Sequence, residues 1–133
     1  MKTSKGVLFL ILVFILTSCA SSVRFPISNK APAAEIFAKI KQDKNNNYAI
    51  KITAKNLASP DRLNPPKNNY SIWIVTEKNG IKNIGQLINK NAKKTVLKTT
   101  TPFKIVEIFI TAEDKGNISL PSGEEISRIS FNK

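Results

Sequence analysis

The chain has a single cysteine, Cys19, and no histidine. One thiol cannot close an intramolecular disulfide, so the fold must hold without covalent staples in any oxidising compartment. The absence of histidine removes the commonest general base near neutral pH and the commonest metal ligand. Nucleophilic triads and zinc sites therefore lack their usual parts. Glycine-rich phosphate loops are missing, and Ser122 in Pro121-Ser122-Gly123 lies in a corner rather than in a Gly-x-Ser-x-Gly elbow. Carboxylates number nine, with adjacent ones at Glu113-Asp114 and Glu124-Glu125. A glycosidase needs two carboxyls facing each other across its substrate, about 5 to 10 Å apart. Neighbours on a strand point to opposite faces instead, and a pair in a turn is solvated. The expectation is no enzyme, no cofactor and no metal site.

Long apolar runs are also scarce. The longest, Val7 to Leu16, has ten residues, about half of the roughly 20 that a spanning helix needs. It follows the basic opening Lys2 and Lys5 and precedes small residues, the order of a cleaved signal peptide. The four residues Leu16-Thr17-Ser18-Cys19 resemble the lipobox of bacterial lipoproteins. That resemblance implies a leader over 1–18 cut before Cys19, a diacylglyceryl group on its thiol and acylation of the new amine. Two or three acyl chains anchor a protein firmly, where one holds only marginally. Ala20 is not the aspartate associated with inner-membrane retention, so the resemblance favours the outer membrane, with the protein facing the periplasm or the cell surface. Residues 19–32, with serines, Pro26 and Pro32 and no clear periodicity, read as a flexible tether.

The formal net charge is +12, and removal of Lys2 and Lys5 with the leader leaves 19 basic against 9 acidic residues. Such a surface suits nucleic acid, anionic lipid or acidic polysaccharide. An extracytoplasmic address argues against nucleic acid. Abundant Lys, Asn and Ile are also what an AT-biased genome supplies, so composition alone does not establish an anionic partner.

From Ala34 onward, apolar and polar residues alternate in short runs broken by turn signals, the pattern of half-buried antiparallel strands. Strands are expected at Ala34–Lys41, Tyr48–Lys55, Tyr70–Glu77, Ile81–Ile88, Thr95–Thr100, Phe103–Ala112, Ile118–Leu120 and Glu125–Phe131. Asn79-Gly80 suits a tight hairpin. Pro60, Pro65 and Pro66 make Asn56–Asn69 a loop crossing between sheets, since proline lacks a ladder donor. Trp73 is expected in the core, and Glu107 facing outward or meeting a lysine across the sheet. Seven to eight such strands indicate an all-β fold, an immunoglobulin-like antiparallel β-sandwich with Greek-key connections over residues 33–133.

Three segments, Tyr70-Ser71-Ile72-Trp73-Ile74, Phe109-Ile110-Thr111-Ala112-Glu113 and Pro121-Ser122-Gly123, resemble the extracytoplasmic β-sandwich at the C-terminal end of anti-sigma-K-type regulators. The resemblance covers roughly residues 34 to 131 and implies the sandwich alone. Those regulators carry a sigma-binding helical domain and a transmembrane helix before it, and neither is visible here.

Three functional readings follow. The sandwich is an interaction module for an envelope protein, using loops such as Ser59 to Pro66, because loops on a rigid scaffold carry recognition. Alternatively, Lys90, Lys93, Lys94 and Lys98 form a cationic patch for acidic glycans or lipid head groups. Thirdly, the protein is a structural envelope component whose strand lysines merely discourage edge pairing. In all three the membrane is met through the lipid on Cys19.

Overall fold

The computed structural model describes residues 21–88 and 93–131. The leader over 1–18, Cys19 and Lys90 lie outside the described residues. Eight strands are present: β1 (Ser21–Arg24), β2 (Glu35–Gln42), β3 (Tyr48–Lys55), β4 (Asn69–Thr76), β5 (Ile81–Leu87), β6 (Lys94–Thr101), β7 (Ile105–Glu113) and β8 (Glu124–Ser130). They form two four-stranded antiparallel sheets, A with order β1-β2-β3-β6 and B with order β5-β4-β7-β8. The chain changes sheet after β3, after β5 and after β6, which brings β6 beside β3 and β7 beside β4. This is the Greek-key β-sandwich expected from the alternation.

Alternation assigns the faces. Ile36 and Ala38 of β2 and Ile50, Ile52 and Ala54 of β3 point inward, and meet Tyr70, Ile72 and Ile74 of β4 and Ile108, Ile110 and Ala112 of β7 in one cluster. At about 25 cal/mol per Å² of apolar area removed from water, this shared interior supplies the main driving force for folding. The loop from β3 to β4 holds a 3-10 turn at Pro60–Arg62 and is pinned where the Tyr70 hydroxyl donates to the Ala58 carbonyl at 2.6 Å. Burial, and secondarily the charge of Asp61, pushes the Tyr70 hydroxyl up to about 12.

Three expectations are corrected. Residues 21–32 are not a loose tether: β1 pairs with β2 along its whole length, Phe25 and Ala31 are buried, and the Ser127 hydroxyl on the other sheet donates to the Pro26 carbonyl at 2.8 Å. The domain thus begins by Ser21 rather than at residue 33. Ile118–Leu120 is not a strand, because the Gly116 and Ile118 carbonyls accept from the Asn83 side-chain amide at 3.2 and 2.9 Å instead of joining a ladder. The β4–β5 connection is longer than a two-residue turn. Val75 pairs with Ile81, Gly80 alone takes the left-handed conformation, and the Thr76 hydroxyl bonds the Gly80 carbonyl.

Trp73 is fully buried, as expected, and lies on the outer side of sheet B. It stacks on Phe109 with ring centroids 6.2 Å apart, and Arg128 covers Phe109 while holding Glu107 and Glu125. The segment from Asp114 to Gly123 leaves β7, reaches Asn83 on β5, opposite Trp73 in the ladder, and returns to β8. Given the strand order, it must cross over β4, and it forms the cover above Trp73.

One polar chain fastens this cover. Trp73 Nε1 donates to Thr111 Oγ1 at 2.8 Å, Thr111 donates to Glu113 Oε2 at 2.6 Å, and Ser122 donates to Glu113 through its hydroxyl at 2.9 Å and its N–H at 3.2 Å. Residues from the three segments 70–74, 109–113 and 121–123 meet here. Glu113 is 1% exposed rather than solvated. Burial alone would push its carboxyl up, but the bonds from Thr111, the Gly123 N–H and Ser122 outweigh burial and hold it below the ordinary 4.5. Gly123 approaches so closely that a Cβ there would sit 1.8 Å from the Ala112 carbonyl oxygen.

A carboxylate with a lowered folded-state pKa stabilises the fold above its unfolded value and loses that contribution as pH falls through the folded value. Glu113→Gln is therefore expected to cost about 1 to 3 kcal/mol at neutral pH, by presenting an amide to groups that donate. Urea unfolding between neutral pH and pH 3 should show this deficit shrinking below pH 4.5.

Candidate cationic face

The side of sheet A that faces away from the core is the candidate site. On β2 and β3, burying the isoleucines forces Lys39 and Lys41, and Lys51 and Lys55, outward. On β6 the same parity exposes Lys94 and Lys98. The register then aligns them: Lys39 is directly opposite Lys51, Lys51 opposite Lys98, and Lys55 opposite Lys94. Arg24 of β1 lies on the same side, 5.7 Å above the Phe37 ring and 3.8 Å from Glu35. Among the described residues, seven cations and one carboxylate therefore share this face.

Between the lysines, Ala49 and Thr100 are short, and the height difference leaves an open groove of about 550 Å³ lined by Lys39, Lys41, Lys51 and Lys98. Among the described residues, none of the six lysines has a carboxylate within ion-pair distance. Most of the ion pairs lie instead on sheet B and the loops, although Lys78, Lys82 and Lys115 have none there among the described residues. Lys30 pairs with Glu124, Lys67 with Asp114, Lys104 with Glu77, and Arg128 with Glu107 and Glu125. Glu107 faces outward, one of its two expected placements, and its partner across the sheet is an arginine rather than a lysine.

Of the four lysines singled out in the sequence, the structure brings Lys94 and Lys98 onto this face; Lys93 is exposed just before β6, and Lys90 is outside the described residues. Lys39, Lys41, Lys51 and Lys55 were missed as members. Their outward direction was legible from alternation, but their convergence depends on the pairing of β2, β3 and β6, which no local pattern states. Edge protection accounts for lysines on β6 only. Lys51 sits on an interior strand, where no edge needs guarding.

Like charges directly opposite each other on a sheet are unfavourable, so the Lys39–Lys51–Lys98 row opposes folding. A local rule broken without local compensation is what makes this face the candidate site. The other loop candidate, Ser59 to Pro66, is largely tied to itself: the Lys67 N–H donates to the Pro60 carbonyl at 2.9 Å, and Pro60 is buried. Among the described residues no group of three or more Cys, Asp or Glu is placed to hold a metal ion, and no helix is long and apolar enough to cross a membrane. Comparison with protein families, with curated proteins and with solved structures gave no match.

Replacing the centre of the row relieves two like-charge contacts. Lys51→Thr, which keeps a good strand former, is expected to raise stability by about 0.5 to 1 kcal/mol at low ionic strength. In thermal unfolding the gain should fade toward 1 M salt, where charges are screened beyond about 3 Å.

Proposed function

We propose that this chain is a lipid-anchored binding protein of the cell envelope, not an enzyme, whose ligand surface is the outer face of sheet A and whose ligand is polyanionic. The observation that carries the reading is the row Lys39–Lys51–Lys98 running across three adjacent strands, with Lys41, Lys55 and Lys94 around it and no carboxylate paired to any of them. An array of this kind costs stability and gains only when an external anion neutralises it. Charge drawn from composition alone would be interspersed with acids, as it is on the opposite side of the molecule.

The anchor rests on sequence: basic Lys2 and Lys5, the apolar run from Val7 to Leu16, and Leu16-Thr17-Ser18-Cys19. The likeness of three segments to the anti-sigma-K-type sandwich suits an extracytoplasmic domain, and no role in sigma-factor control is proposed.

Two measurements test the two halves. Binding to heparin as a soluble polyanion, followed by fluorescence or calorimetry, is expected to weaken on the order of tenfold or more in Lys39→Gln/Lys51→Gln/Lys98→Gln, equivalent to at least about 1.4 kcal/mol. The control Lys78→Gln/Lys104→Gln/Lys115→Gln should stay near the parent, and equal losses in both would sink the proposed face. For the anchor, intact mass of the membrane fraction should show a product beginning at Cys19 with added acyl mass, absent in Cys19→Ser. An unmodified chain would remove the anchor from the proposal.

A further inference from the structure

The cationic face and the anchor point share one corner of the domain. β1 begins at Ser21, two residues after Cys19. An extended chain advances at most about 3.6 Å per residue, so the Cα atoms of Cys19 and Ser21 lie within about 7 Å of each other. Ser21 pairs with Ile40, the residue between Lys39 and Lys41, and Ser22 heads the row that continues through Lys39, Lys51 and Lys98. Neighbouring strands are about 4.8 Å apart, which puts even Lys98 within about 15 Å of β1.

This arrangement removes the slack that a tether would have supplied. Pairing of β1 with β2, burial of Phe25 and the bond from Ser127 to Pro26 fix the start of the domain to both sheets. Acyl chains on Cys19 would hold this corner at the head-group layer. Exposed charges interact over about 8 Å at physiological ionic strength, so Lys39 lies within one screening length of β1 and Lys98 within about two. The sheet can then turn its charged side to the bilayer or away from it, and an anionic leaflet favours the first.

We infer that the domain lies with the outer face of sheet A against the leaflet that carries its anchor, with Lys39, Lys41, Lys51 and Lys98 on anionic phospholipid head groups. The inference rests on the anchored, polyanion-binding reading given above and names its ligand. A planar array of head groups suits cations spread over an open sheet with a shallow groove, and no aromatic ring lines that groove to stack a sugar. The basic face supplies a second membrane signal beside the acyl chains.

The test uses the full chain, processed in bacterial membranes and reconstituted into vesicles of phosphatidylcholine alone or with about one third phosphatidylglycerol. Amine acetylation is read lysine by lysine from peptide masses. Lys39, Lys51 and Lys98 should react on the order of fivefold more slowly on the anionic vesicles, with Lys78 and Lys115 unchanged and the protection lost toward 1 M salt. Equal reactivity on both vesicle types overturns the inference. If the same lysines still bind heparin in solution, the polyanion face stands and only its apposition to the membrane fails. A chain that carries no acyl group and does not stay with the vesicles overturns the inference through its anchor.

Discussion

Side chains on a strand alternate, and burying one face of β3 commits the other. Ile50, Ile52 and Ala54 enter the core only if Ala49, Lys51, Thr53 and Lys55 face out. The same exchange holds on β2 and β6, and antiparallel pairing then sets the outward residues in rows. Hydrophobic burial of a few kcal/mol per large side chain exceeds the tenths of a kcal/mol lost at each lysine pair, so the core dictates the register and the lysines accept it. The cationic face is therefore held in place by the interior and not by contacts of its own.

Sheet B resolves the same constraint differently. Its outward residues include Trp73, Phe109, Thr111 and Glu113, too apolar or too deeply covered to face water; Arg128 covers Phe109, and the chain from Asp114 to Gly123 is laid over the side of Trp73 and Glu113. A carboxylate under such a cover would be costly without donors, and Glu113 is supplied with them by Thr111, Ser122 and Gly123. Acids on this half are matched with Lys30, Lys67, Lys104 and Arg128. One half of the sandwich is largely balanced by its own acids and the other is left charged, so the molecule is electrically two-sided.

Much of the fold was legible because β2, β3, β4 and β7 are long, strongly alternating and bounded by Asn, Gly or Pro. β1 was not: Ser-Ser-Val-Arg is too short to show a period, and it is a strand only because β2 offers an open edge. Ile118 to Leu120 carries strand-forming residues, but a side chain 35 positions away takes the Ile118 carbonyl. Trp73 could be read as buried and not as lying beneath a loop, since that distinction requires the path of residues 114–123. Two of the six lysines of the proposed face, Lys94 and Lys98, were recognised; Lys39, Lys41, Lys51 and Lys55 joined them through a register that is set by the whole core.

Trp73 is the only tryptophan of the chain, and it sits beneath the one segment that closes the outer side of sheet B. Its indole N–H is the first link of the chain that ends at Ser122. Lifting that segment admits water to the ring, so the protein contains its own optical gauge: a red shift in emission would report the cover opening while the inner core remained intact.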